Sequence, residues 1–160
     1  MKNLFVSIFI TSACISGLAY AQGASLSLSS TPHDASQPVE VTADSLTVDQ
    51  ASRTAVFSGS ARVGQGAMRL GADQIQVTYS DTASEISKVS ATGSVVFTNG
   101  AENAEADRAN YDVAKGLLIM QGNVLLLQGG NAFSADTLEL DVLNNSANLT
   151  GNVKTVLVPK

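Results

Sequence analysis

Asp44, Asp73, Asp107 and Asp136 recur at matching places in the chain, each after an alanine and before an alternating apolar run. Four carboxylates in register could form a calcium ladder, since a hard cation takes rows of oxygen ligands. Calcium-binding β-rolls build such ladders from Gly-Gly-x-Gly-x-Asp nonapeptides, and none occurs here. Set 29 to 34 residues apart, the aspartates fit corner capping better, a short carboxylate accepting bonds from backbone N–H groups that a bend leaves free. Glu102, Glu105 and Asp107 are also close in sequence. Paired carboxylates do acid–base work in a cleft that raises one pKa, and a solvated strand edge accounts for these three more simply. His33, the one histidine, follows Pro32 with no partner residues around it and reads as a linker residue. With no serine-centred elbow and no phosphate-cradling glycine loop, the sequence predicts a protein that is not an enzyme and carries no metal or cofactor.

The single cysteine, Cys14, lies in a segment built like an export signal: Lys2 supplies a positive start, Leu4 to Leu18 an apolar stretch, and Ala19-Tyr20-Ala21 an A-x-A cleavage site. Residues 1–21 are therefore expected to be a signal peptide, with the mature chain starting at Gln22. A lipoprotein would need a Leu-like residue where Thr11 stands. Removing 21 of 160 residues leaves 139, enough for one domain. It also removes Cys14, so disulfides and thiolate chemistry fall away. Without Lys2, eight Lys and Arg remain against 14 Asp and Glu, with no basic block. That balance argues against a nucleic-acid partner, which needs clustered cations. Residues 22–38, rich in Ser, Gly and Pro, read as a flexible leader.

From Val39 onward one unit repeats four times. Each Ala-Asp pair is followed by a second signature, at Ser58-Gly59-Ser60, Thr92-Gly93-Ser94, Gln121-Gly122-Asn123 and Thr150-Gly151-Asn152. Gly to the next Asp is 14 residues each time, and Asp to Gly is 15, 20, 15 and 15, giving a 29-residue unit with one insertion between Ser80 and Lys88. A repeat of this length signals stacked units that complete one another's core.

Within each unit the apolar period is two, as in Leu46/Val48, Ile75/Val77 and Leu118/Met120, which is strand and not helix. Short turns such as Asn99-Gly100 and Gln128-Gly129-Gly130 favour antiparallel neighbours. The apolar phase flips at every Ala-Asp pair, which requires a bulge or corner. The glycine of the second signature keeps phase, so it reads as an inward position lacking a side chain. These features predict an all-β, two-walled structure with an apolar inside and two open ends, whose unpaired edges aggregate unless they are used.

The repeat pattern, the export signal, the start Gln37-Pro38-Val39-Glu40-Val41 and the ending Thr155-Val156-Leu157-Val158-Pro159 together resemble the LptA/OstA-like family of Gram-negative envelopes. The resemblance implies a twisted, half-open antiparallel β-jellyroll over residues 39–160. It implies a periplasmic carrier that shields the lipid A acyl chains of lipopolysaccharide and passes them from inner to outer membrane for outer-membrane assembly. Partners would be inner- and outer-membrane proteins of the same fold, and copies of the chain itself in a head-to-tail homo-oligomer. Lipid-facing positions would fall at Val39, Val41, Phe97, Tyr111 and Val113, joined by Leu46 and Val48 of the same apolar lane; end-to-end assembly would use Val156 and Val158. Read from the residues alone, inward apolar positions are equally well explained as ordinary core. The low aromatic share, 5%, suits a lumen of adaptable aliphatics. Two other readings stand beside the carrier: a membrane-tethered relative, either the inner-membrane partner or the translocon's N-terminal domain, and a secreted structural β-solenoid without lipid.

Overall fold

The computed structural model describes residues 24–27, 37–81 and 85–159; the signal peptide expected at 1–21 lies outside them. The alternating segments form strands β1 (Ala24–Ser27), β2 (Glu40–Thr42), β3 (Ser45–Asp49), β4 (Thr54–Gln65), β5 (Met68–Tyr79), β6 (Ile86–Thr98), β7 (Glu102–Asp112), β8 (Leu117–Gln128), β9 (Asn131–Asp141), β10 (Ser146–Thr150) and β11 (Lys154–Val156). All pairings among them are antiparallel, in the order β1-β10-β9-β8-β7-β6-β5-β4-β2, with β3 also on β4 and β11 also on β9.

A line of register breaks crosses the sheet. Between Ser58 and Ala61 of β4, and again in every pair through β8 and β9, the ladder skips at the Gly signature on one strand and the Asp on its neighbour. In β7 the buried positions run Glu102, Ala104 and Ala106, then shift phase to Ala109 past Asp107 and Arg108. Two residues opposing one makes a bulge that bends the sheet. The line divides the sheet into two arms. The first arm reaches the turns at 50–53, 113–116 and 142–145 and the ends of β5 and β6 at Tyr79 and Ile86, and the second reaches the turns at 66–67, 99–101 and 129–130. At both ends of the sheet the chain is interrupted at the same line, so β2 and β3 are the two halves of one edge, and β11 and β10 those of the other.

Each corner joins one glycine to one aspartate. A Cβ on Gly59, Gly93, Gly122 or Gly151 would stand 2.3–2.4 Å from the Oδ2 of Asp44, Asp73, Asp107 or Asp136 respectively. The four glycines have φ of 75–84° and the residues after them φ of 45–48°. Asn123 and Asn152 donate their side-chain amides to Asp107 and Asp136, at 3.0 and 2.8 Å. The inward reading of these glycines is therefore corrected: the missing side chain faces an exposed aspartate, because two successive left-handed residues undo the alternation that would have turned it inward. The aspartates sit at the corners, and at the first and last of these the backbone N–H of Asp44 and Asp136 donates to the glycine carbonyl.

Between the arms lies one core. Ile75, Leu118, Met120, Leu138 and Leu149 of the first arm meet Val95, Phe97, Val124, Leu126 and Phe133 of the second. The leader read over residues 22–38 is not structureless throughout, since Ala24–Ser27 pairs with β10 as β1. A Ser-rich segment joins a sheet where an edge offers unpaired backbone groups, whatever its own propensity.

Candidate functional site

Toward the tips of the arms the core opens into a cavity of about 190 Å³. The second arm lines it with Val63, Met68, Leu70 and Phe97, and the first with Ile86, Val89, Tyr111 and Leu118; Val39, Val113 and Leu143 stand at its lip. Leu70 and Phe97 are cross-strand partners, as are Tyr111 and Leu118, so alternation holds each pair on the inner face. Arg69 and Gln65 add the polar part of the rim. The Arg69 guanidinium donates to the carbonyls of Gly66 and Met68 at 2.5 and 2.7 Å.

Of the expected lipid-facing residues, the structure gathers Val39, Phe97, Tyr111 and Val113 around this one cavity. Val41 is half-buried on β2, directly opposite the cavity residue Val63. Leu46 and Val48 lie elsewhere: on β3, opposite Phe57 and Ala55 of β4, and 54% and 61% exposed because none of the described strands pairs with the outer side of β3. Val156, opposite Ala132, and Val158, whose N–H donates to Asn131, stand at the other end, 58% and 60% exposed. The solvated-edge reading fails for Glu102, which is 1% exposed and accepts a bond from the Gln128 amide, 3.1 Å away across the β7–β8 ladder. Glu105 and Asp107 are exposed, on the other face.

Sequence reasoning did not single out Met68 and Leu70, though their alternation with Phe97 across the strand carried the signal. Leu143 had none, because it sits in an Asn-rich turn. It reaches the lip by lying over Gly116, where a Cβ would stand 2.5 Å from its Cγ.

Burial, and after it the negative Asp112 alongside, push the Tyr111 phenol above its ordinary pKa, keeping it a neutral hydroxyl at the cavity wall. The turns around the lip depend on ionised aspartates. Hydrogen bonds from Lys115, first through its side chain, hold Asp112 below the usual carboxylate range, and bonds from the Asn144 side chain and backbone do so for Asp141. Ser52 acts likewise on Asp49. A lowered folded pKa means the contribution is present above the unfolded value, about 3.9, and disappears as pH falls through the lowered folded values. Thermal melts taken from about pH 6 down to about pH 2 should therefore show a midpoint that drops below about pH 4, with a shallower drop in Asp141→Asn. An unchanged slope in that variant would show that the turn aspartates do not carry the effect.

An antiparallel jellyroll bent along one line of corners, not closed on itself among the described strands and open at the tips of its arms, defines a β-jellyroll of the LptA type. A family model described as LptA/(LptD N-terminal domain) LPS transport protein matches residues 40–146, and the chain belongs to that family. It is 26% identical over 156 residues to the lipopolysaccharide export system protein LptH of Pseudomonas aeruginosa, covering 91% of this chain and 88% of LptH. An uncharacterized protein of Rhizobium meliloti (strain 1021) is 24% identical over 157 residues, 91% of this chain and 84% of that one. Among solved structures, the crystal structure of P. aeruginosa LptH, described as the LptA homologous periplasmic component of the lipopolysaccharide transport device, superposes with a TM-score of 0.73 at 20% identity. That match covers 80% of this chain and 100% of LptH and supports the fold.

Proposed function

We propose that this protein is a periplasmic carrier that holds the lipid A acyl chains of lipopolysaccharide between its arms and passes them from the inner toward the outer membrane by binding and not by catalysis. The observation that carries the reading is the cavity itself: apolar walls continuous with the core, reached from outside past the half-open lip of Val39, Val113 and Leu143. Concave apolar sites with a few polar groups are how proteins hold lipids, and the Arg69 cation on the rim suits the anionic head of such a lipid. The periplasmic LptH is similar over most of its length. The two ends of the unclosed sheet supply the means of bridging, since a sheet edge accepts another strand and a head-to-tail contact that does not close propagates. The expected partners are copies of this chain and inner- and outer-membrane proteins of the same fold.

A photo-crosslinker placed at Tyr111 in cells that make lipopolysaccharide should capture that glycolipid. At Asn110, which turns to the other face and accepts a bond from Ser90 at 2.9 Å, it should capture none. Equal capture at both positions would displace lipid from the cavity, and capture at neither would favour a structural β-solenoid. The mass of the mature protein separates the tethered relative from the carrier, which starts at Gln22.

A further inference from the structure

The geometry points to β1 as the chain's own stand-in on the outer edge of β10, the edge that end-to-end joining leaves for strand β3 of a second copy. The inference rests on the end-to-end reading above and adds to it a register and a competitor. With β1 set aside, each arm has two outer strands: β3 and β10 for the first, β2 and β11 for the second. Among the described strands, only β10 has its outer side covered, and β1 packs on β10 alone.

Direction is the first argument. From β3 to β10 the first arm alternates direction at every step. Strand β1, antiparallel to β10, therefore runs the same way as β3, which is the direction the next strand of a continuing sheet must take.

Register is the second. Inside the chain the residue before each corner glycine pairs with the residue after the next aspartate: Ser58 with Gln74, Thr92 with Arg108, Gln121 with Thr137. One glycine signature, Thr150-Gly151, has no following aspartate, and one aspartate, Asp44, has no preceding glycine strand. The same rule applied between copies sets Thr150 opposite Ser45. It follows that Leu46 meets Leu149, Thr47 meets Asn148, Val48 meets Ala147 and Asp49 meets Ser146, so five residues cover five. Leu149 and Ala147 are buried core positions, and the exposed Leu46 and Val48 would complete them.

Sequence is the third. Ser25-Leu26-Ser27 of β1 reads like Ser45-Leu46-Thr47 of β3, but it lies two residues further along the edge, with Leu26 at the place the rule gives to Val48. The Leu26 side chain packs against the core opposite Ala147, but Ala24 stands opposite Leu149 and no β1 residue pairs with Thr150. Strand β1 thus fills the site less fully than β3 would, which suits a segment that protects the edge and then gives way.

The test uses the export-processed chain, in which Asn148→Cys with Ser25→Cys locks β1 onto β10, these residues being directly opposed. A second pair, Thr47→Cys with Asn148→Cys, reports docking between copies, since β3 and β10 occupy opposite ends of the sheet. A third variant, Leu26→Asp, loosens β1. Sedimentation over a dilution series should show Leu26→Asp associating at a roughly tenfold lower concentration than wild type, because a covered edge lowers apparent affinity by the fraction of time it is free. The oxidised lock should stay monomeric until reduced, and the reporter pair should form disulfides between copies. Should the oxidised lock and Leu26→Asp both associate like wild type while the reporter crosslinks, β1 is no stand-in, although copies still join end to end. If Leu26→Asp stays monomeric at every concentration and the reporter never crosslinks, the end-to-end reading falls and this inference with it.

Discussion

Gly122→Ala should destabilise the protein by about 2–4 kcal/mol in equilibrium urea unfolding, more than most single-methyl additions do. A non-glycine residue held in the left-handed region costs about 1–2 kcal/mol, and Gly122 has φ of 80°. The new Cβ would also stand 2.3 Å from Asp107 Oδ2, so the carboxylate must move, breaking its 3.0 Å bond from Asn123, a loss of about 1 kcal/mol. The two costs are separable. Adding Asp107→Ala removes the overlap and leaves the backbone cost, so the double variant should be less destabilised than the sum of the singles by about 1 kcal/mol or more. Gly64 supplies the contrast: its φ is not in the left-handed region, and the three atoms nearest to an added Cβ all belong to the flexible Arg69 side chain, at 3.1–3.3 Å. Gly64→Ala should stay within about 0.5 kcal/mol of wild type. Equal losses at Gly64 and Gly122 would mean that the corner geometry has no special weight.

The corners also show how far the sequence was legible. Period-two alternation identified the strands, and the phase flip at each Ala-Asp pair located the bends, because both are properties of consecutive residues. The partnership of Gly59 with Asp44, or of Gly122 with Asp107, lies between strands 15 residues apart in sequence, and alternation alone assigned these glycines the wrong face. Leu46 and Val48 alternate as faithfully as Tyr111 and Val113. Their exposure follows from β3 having no outer neighbour among the described strands, and a strand's own residues carry no record of what lies beyond it. Glu102 looked solvated because its hydrogen-bond donor, the Gln128 amide, is 26 residues away. The strand β1 went unread for the same reason, since its composition is that of a linker and its order comes from the β10 edge.

A carboxylate at the cavity lip should have the largest effect on function: Val113→Asp is expected to weaken lipid loading roughly 100-fold while leaving the fold intact. Val113 is 39% exposed, so in the lipid-free protein an aspartate there remains hydrated and adds little cost to folding. Once an acyl chain lies across the lip, the same carboxylate loses water without gaining a partner, a penalty of several kcal/mol. About 2.7 kcal/mol of it reaching the equilibrium is a factor of about 100. Protonation should partly restore binding as pH falls toward the carboxylate's pKa, whereas Val113→Asn, polar but uncharged, should lose less than Val113→Asp at neutral pH. The control is Leu127→Asp: Leu127 has nearly the same exposure, 43%, but follows the buried Leu126 and so points away from the core. Loading of a fluorescent acyl-chain glycolipid onto each purified variant, with melting curves to verify folding, separates these cases. If both aspartates weaken loading equally, added negative charge repels the anionic lipid from any position; if neither does, acyl chains do not pass Val113 and the cavity is not their route.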